Sequence, residues 1–286
     1  MSHFLYVVLS SLLLGLFCIE FLGKPSFKPT EFNSQTEQAE QAFPILHSLV
    51  LVLSSQEDLY RPHKEVWRML ADDAPRYGFK VYYIAMNPNI DRLTIDGNEI
   101  NVPGSECLLP CPLIKTIAAL EALCGESASG YAYEYVLRTN LSSFWVWARL
   151  LEWMEEKLLP RGKPIRAGKV GYADQNDLSA STSFVSGAGT LWSIDVVRMI
   201  IHGNETLNYN EQDDIAISSF LNKKNIPIEE MQRTDYTSGE VHPIITLPPR
   251  ADTGAYHYRV KSVNDRERYD GYLMARLYAE TYSVNN

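Results

Sequence analysis

Positive charge, cysteine and histidine are all scarce in this sequence. Lys and Arg total 26 against 35 Asp and Glu, a net charge of −9. That balance argues against a nucleic-acid partner, whose phosphate backbone calls for an excess of cations. A local basic cluster can still hold one diphosphate. The 4 cysteines are too few for a disulfide scaffold. Cys18 sits in an apolar run, which leaves Cys107, Cys111 and Cys124. One bridge among these three suits a secretory lumen, with the pairing open. No histidine stands at ligand spacing beside them, which argues against zinc. There is no internal repeat, so a solenoid is excluded.

What is present is an ordinary globular composition of 45% hydrophobic residues in a chain of 286. That length suits one large α/β domain or two small ones. Residues 1–23 are apolar from Phe4 to Leu22 apart from Ser10, Ser11 and Glu20. This is close to the roughly 20 residues that span a bilayer. No small-x-small cleavage site follows, which favours a retained single-pass anchor over a removed signal. Lys24 and Lys28 lie after the run, so loop charge leaves the orientation open. Residues 24–42, with "SQTEQAEQ", read as a stem, and 43–286 as one domain. The expected location is membrane-associated, of Golgi or ER type if eukaryotic. Asn140 ("NLS") and Asn204 ("NET") are glycosylation sequons.

Within the domain, strands and helices alternate. "HSLVLVLSS" predicts a central strand over 49–53, and a helix follows over 63–77 with Val66, Leu70 and Ala74 on one face. "KVYYIAM" is a second strand, completing a strand–helix–strand unit and hence the start of a parallel sheet. Asp96-Gly97-Asn98 marks a hairpin within "RLTIDGNEINV". "CPLIKTIAALEAL" predicts a helix and "YEYVLRTN" a strand. "SSFWVWARLLEWMEEKLL" places Trp147, Leu150, Leu151, Met154 and Leu158 at helical spacing. That helix is expected to be capped by Ser142 or Asn140 and stopped by Pro160 and Gly162. The fold class is therefore α/β, with one mixed sheet.

Five stretches carry candidate chemistry. "GSECLLPCPLIKT" ends with Lys115 and Thr116 on a helix, and "YVLRTNLSSF" delivers Arg138, Thr139 and Asn140 to a strand end. "SFVSGAGTLWS" contains the Ser186–Gly189 turn, where Gly187 and Gly189 let main chain approach a ligand closely. "EQDDIAIS" puts Asp213 and Asp214 in the first turn of a helix, where acids also complement the helix dipole. Near the end, "YHYRVKSV" alternates Tyr256, Tyr258 and Val260 with His257, Arg259 and Lys261. On an extended segment the three basic residues share one face.

This succession, from about Leu49 to Ile228, resembles glycosyltransferases of the GT-A fold, particularly the Fringe and β-1,3-galactosyltransferase type. The resemblance implies a Rossmann-like, mostly parallel mixed sheet flanked by helices. It also implies transfer of a sugar from a nucleotide-sugar donor, such as a UDP-sugar, to a glycan, glycoprotein or glycolipid hydroxyl with inversion. Asp214 matches the general base of that family, with Asp213 beside it as a second catalytic acid. Ser186, Gly187 and Gly189 match a segment that lines the donor and acceptor cleft. By the same analogy His257, Arg259 and Lys261 hold the donor diphosphate.

The sequence departs from the family at the strand end. An Asp-x-Asp that binds a divalent cation is replaced by Arg138-Thr139-Asn140, and Mn²⁺ or Mg²⁺ prefers anionic oxygen ligands. No metal ligand and no cofactor are therefore expected, with a divalent Mn²⁺ or Mg²⁺ bound by other residues as the open alternative. Two roles are open to Arg138: neutralising a phosphate directly with its guanidinium, or pairing with a nearby acid and bracing the strand end. Thr139 and Asn140 are candidates for sugar or ribose hydroxyls, or for capping the next helix. The alternative reading is a non-catalytic carbohydrate-binding or assembly protein of the same fold. A metal-dependent hydrolase using Asp174, Asp177, Asp213 and Asp214 fits less well, because no histidine-rich ligand spacing accompanies them.

Overall fold

The computed structural model describes residues 47–126, 133–158, 164–173, 182–238, 254–262 and 270–282. The expected anchor and stem, the Asp174 and Asp177 loop and the Pro160–Gly162 stop lie outside these residues. Among the described residues no helix is long and apolar enough to cross a membrane.

The central strand β1 (Ser48–Leu53) is buried on both faces, which is why its sequence is apolar without alternation. Helix α1 (Arg61–Asp73) follows, with Val66, Trp67 and Leu70 buried. It ends four residues earlier than its periodicity suggests. Pro75 lacks an amide hydrogen, and residues 74–77 tighten into a 3₁₀ turn closed by Gly78 at φ 78°. Strand β2 (Phe79–Asn87) runs parallel to β1. The hairpin is present as β3 (Thr94–Asp96) and β4 (Glu99–Pro103), with Gly97 at φ 56° in its turn. Helix α2 (Cys111–Cys124) leads to β5 (Tyr135–Asn140), which lies parallel to β1 on the side away from β2.

After β5 the sequence expectation fails. Ser143–Trp145 forms a short strand, β6, and helix α3 (Trp147–Leu158) starts only beyond it. Asn140 and Ser142 do not cap that helix; the Ser142 hydroxyl donates to Asn140 Oδ1 (2.8 Å) within the connecting turn. The reason is tertiary. Phe144 and Trp145 are fully buried, and a strand more than a hundred residues away supplies their ladder partner.

The rest of the main sheet comes from β7 (Arg166–Ala173), β8 (Thr182–Ser193) and β9 (Ile228–Glu230), with α4 (Ile194–His202) and α5 (Asp213–Lys223) between. Its order is β3-β4-β2-β1-β5-β8-β7-β9, mixed and mostly parallel. A second sheet, not anticipated, joins β6 to β10 (Thr234–Ser238) and β11 (His257–Ser262) in the order β10-β11-β6. The last described element is α6 (Asp270–Tyr282).

Alternation along β1 feeds two cores. Val50 and Val52 pack with residues of α1, α3 and α6, and Leu49 and Leu51 with those of α2, α4 and α5. Each fully buried aliphatic side chain contributes about 1.5–3 kcal/mol. Helix α6 is tied to α1 by a fully buried His63–Asp270 contact (3.2 Å) and by the Tyr278 hydroxyl donating to Asp73 (3.1 Å). β1 continues to β2 on one side and neighbours β5 on the other. Ligands of open α/β sheets bind at the carboxyl ends of strands at such a point.

Candidate active site

Strand β8 opens the site. It pairs with β7 through Thr190, Leu191 and Trp192 and again from Val185 outward, so Ser186–Gly189 faces the single residue Lys169. This bulge frees main-chain groups that must find other partners. The "RTNLSS" stretch supplies them. Arg138 donates to the Gly187 carbonyl, and the Thr139 and Ser143 hydroxyls donate to the Ala188 carbonyl, each at 2.6 Å. Trp145 Nε1 in turn donates to Thr139 Oγ1 (3.1 Å).

Both glycines of the turn are required by these contacts. A β-carbon on Gly187 would overlap the Arg138 guanidinium, and one on Gly189 would overlap Trp145 and His257. The closely approaching groups at these glycines are therefore the protein's own side chains. Main chain and side chains interlock here, so the shape of the bulge is fixed before any ligand arrives.

Helix α5 delivers the two acids. Its first turn holds Asp213 and Asp214 after Gln212 in extended conformation. Asp213 pairs with the Arg138 guanidinium. Asp214 Oδ2 accepts from the Gly187 amide and its Oδ1 from the Ile215 amide, both at 3.0 Å. Asp214 is half-buried, and burial raises its pKa above the ordinary carboxylate value. Asp213 pushes in the same direction; Arg138 and the two amides oppose it. The result is a fixed carboxylate with a raised proton affinity, as a general base requires.

The other end of α5 is held by Arg166, which sequence reasoning did not single out. Its guanidinium donates to the Ser218 carbonyl (3.2 Å), Asn222 Oδ1 (2.8 Å) and the Ile226 carbonyl (2.8 Å). With no acid among these partners, burial lowers its pKa to about 10.

Beside the carboxylates lies the second sheet. Arg233 Nη1 donates to Ser186 Oγ (2.8 Å), and its other nitrogens meet Asp235. Arg259 pairs across the ladder with Asp235 and Ser143. Its guanidinium has no hydrogen bond or ion pair among the described residues, and its Nε is buried. Burial and the neighbouring Arg233 lower the Arg259 pKa, while Asp235 and Asp214 oppose this. Arg259 is thus a cation within electrostatic reach of Asp214 whose donors are unused among the described residues. Sequence reasoning also missed Arg233, because the serine hydroxyl it reaches lies 47 positions away.

The remaining expectations divide. The face shared by His257, Arg259 and Lys261 exists but is graded: His257 is fully buried, Arg259 half-buried and Lys261 exposed. His257 stacks on Trp145, with ring centroids 3.8 Å apart. Burial, with Arg233 and Arg259 nearby, holds its pKa well below the usual histidine value, so it is neutral. It therefore offers no charge and no surface to a diphosphate. Arg138, 4% exposed, faces a carboxylate and a carbonyl of its own chain, which is the bracing role rather than the phosphate-binding one. Thr139 is buried with its hydroxyl engaged, so it too is a brace.

Asn140 stands half-buried at the strand end, its Oδ1 accepting from Ser142. Lys115 reaches the Ser54 carbonyl (2.9 Å) and Glu106 (2.8 Å), and Glu106 also accepts from the Met86 amide (3.0 Å). This pair ties together the carboxyl ends of β1 and β2. Cys107 and Cys111 form the bridge of the preceding loop, and Cys124 is free, its thiol pushed up to about 12 by burial.

The strand end does not fit a divalent cation. Arg138 occupies the place beside Asp213, the Thr139 hydroxyl is committed to a carbonyl, and Asn140 is committed to its own turn. Among the described residues no group of three His, Cys, Asp or Glu side chains converges on one point.

No protein-family model matches the sequence, and no curated protein matches it. Among solved structures the chain is similar to a glycosyltransferase involved in the glycosylation of the major capsid of PBCV-1. That match has 8% identity and a TM-score of 0.48, covering 80% of this chain and 98% of the other. The chain is also similar to the inositol-1-phosphate CTP transferase from T. maritima, at 9% identity and a TM-score of 0.39, covering 82% and 97%.

Proposed function

We propose that this chain is a GT-A-type glycosyltransferase that moves a sugar from a nucleotide-sugar donor to an acceptor hydroxyl with inversion. The observation that carries the reading is Asp214. It is a half-buried carboxylate with raised proton affinity at the carboxyl edge of the sheet, with both oxygens oriented by main-chain amides. In an inverting transfer it takes the proton of the acceptor hydroxyl as that oxygen attacks the anomeric carbon from the face opposite the leaving nucleotide. The bond to the diphosphate oxygen breaks in the same displacement. Each oriented oxygen keeps a second acceptor position for that proton.

The leaving diphosphate needs a countercharge. Arg259 supplies it, being the cation beside Asp214 whose donors are unused among the described residues. Lys261, exposed further along the same strand face, adds long-range attraction. Because the strand end does not suit a divalent ion, transfer proceeds without one.

A panel of nucleotide sugars tests this in three arms. Wild type consumes one donor and transfers its sugar. Asp214→Asn loses transfer by roughly a hundredfold to ten-thousandfold while still binding that donor. Arg259→Met weakens donor binding about 10- to 100-fold, the value of one charge-assisted contact. Donor binding without turnover in wild type would instead support a non-catalytic binding protein of the same fold.

A further inference from the structure

Four residues close a ring around the base. Arg138 from β5 joins the Asp213 carboxylate to the Gly187 carbonyl. The Gly187 amide donates to Asp214 (3.0 Å), and Asp214 follows Asp213 in the chain. Gly187 thus uses both its main-chain groups within the ring, and only glycine leaves room for the guanidinium there. We propose that Arg138 is the positioning residue of the site: by bridging Asp213 to the Gly187 carbonyl, it holds the Asp214 carboxylate in the orientation in which it accepts the acceptor's proton. This rests on the reading of Asp214 as general base.

The geometry separates this role from two simpler ones. A substrate-binding arginine would present free donors, whereas the Arg138 side chain is almost entirely inside the protein. A mere brace for the strand end needs only the Gly187 and Ala188 carbonyls, and Thr139 and Ser143 already hold the latter. The added partner, Asp213, makes Arg138 part of the electrostatic surroundings of Asp214.

Those surroundings are Asp213 on the same helix, Arg138 from β5 and Arg259 from β11, with Lys115 from α2 next to the Arg138–Asp213 pair. The signs are opposed. Arg138 favours the charged form of Asp214 and Asp213 disfavours it. Losing the cation raises the pH at which Asp214 gives up its proton, and losing the neighbouring carboxylate lowers it.

The experiment follows the acidic limb of kcat/KM against pH for full-length wild type, Arg138→Gln, Arg138→Lys and Asp213→Asn. Carboxyl-carbon NMR titration of Asp214 in the same proteins works even where turnover is too slow to measure. Arg138→Gln moves the limb and the titration upward by about one pH unit or more, and Asp213→Asn moves them downward. Arg138→Lys keeps the position nearer wild type but lowers kcat, because one ammonium cannot reproduce the two-pronged bridge.

Lower activity in both charge-removing variants, with the limb and the titration unmoved, would reduce Arg138 to a structural brace and overturn the inference. A full-rate Asp214→Asn enzyme would instead remove the base on which it rests. If Arg138→Gln does not fold, the downward shift in Asp213→Asn and the behaviour of Arg138→Lys decide the matter alone.

Discussion

The two ends of α5 are each held by a buried arginine. Arg166 holds the carboxyl end through two main-chain carbonyls and one amide oxygen, all neutral acceptors that complete the helix terminus. Arg138 holds the amino end through one carbonyl and one carboxylate, and that carboxylate is adjacent in the chain to a second. The same side chain, buried to a similar degree, is a structural cap at one end and part of an electrostatic circuit at the other. A buried cation is read by its partners, not by its burial.

The sharpest way to break this comparison is at Asp214. Asp214→Asn should cost roughly a thousandfold in transfer, within the range of a lost general base, while circular dichroism stays native. At neutral pH the substitution removes the cost of a partly desolvated charge but leaves the Gly187 or the Ile215 amide facing an NH2 group. The folded-state pKa of Asp214 is raised, so wild type loses stability as pH rises from the ordinary carboxylate range to that pKa, the penalty being complete above it and absent below the ordinary range. The stability of Asp214→Asn relative to wild type should therefore improve as pH rises from the ordinary carboxylate range through the raised pKa and be lowest below that range, a contrast that denaturant melts at two pH values resolve.

Arg166→Met should do the opposite. Two buried main-chain carbonyls and the half-buried Asn222 amide oxygen lose their donor, costing about 3 kcal/mol in urea unfolding. The folded fraction should keep its pH profile. A shift of that profile would merge the two arginines into one role.

Gly187→Ala comes next. Its β-carbon displaces the Arg138 guanidinium rather than the main chain. A stability loss of about 1–3 kcal/mol is expected from overpacking. Turnover should fall about tenfold, with the acidic limb moving upward as the bridge from Arg138 is lost. The smallest effect belongs to Lys261→Ala: an exposed charge, screened by salt, should change donor KM by less than about threefold at physiological ionic strength.

Much of the fold was legible because periodicity reports burial. The apolar run of β1, the hairpin around Gly97 and the helix of "CPLIKTIAALEAL" were all read correctly from side-chain pattern. β6 was not, because "SSFW" is continuous with a true helical pattern and its strand character depends on β11, far along the chain. The pattern also placed Asp213 and Asp214 in the first turn of a helix, which is where they lie.

What the glycines accommodate was not legible. Arg138 and the Trp145–His257 stack reach them only through the tertiary fold. The strand-face pattern grouped His257 with Arg259 correctly but says nothing of depth. Depth decides that one is neutral and stacked while the other is a half-buried cation. Arg166 carried no local signal, since its partners lie dozens of residues away, and the local Arg233–Asp235 pair does not disclose that Arg233 also reaches Ser186.

The most direct test of the central claim is sugar transfer by the full-length protein, from its accepted nucleotide sugar, in excess EDTA. An arginine-braced, metal-free site predicts an undiminished rate, unchanged on adding Mn²⁺. A protein silent in EDTA and restored by Mn²⁺ would contradict it, and would mean that a divalent ion, not the chain's own guanidinium groups, balances charge at this edge of the sheet.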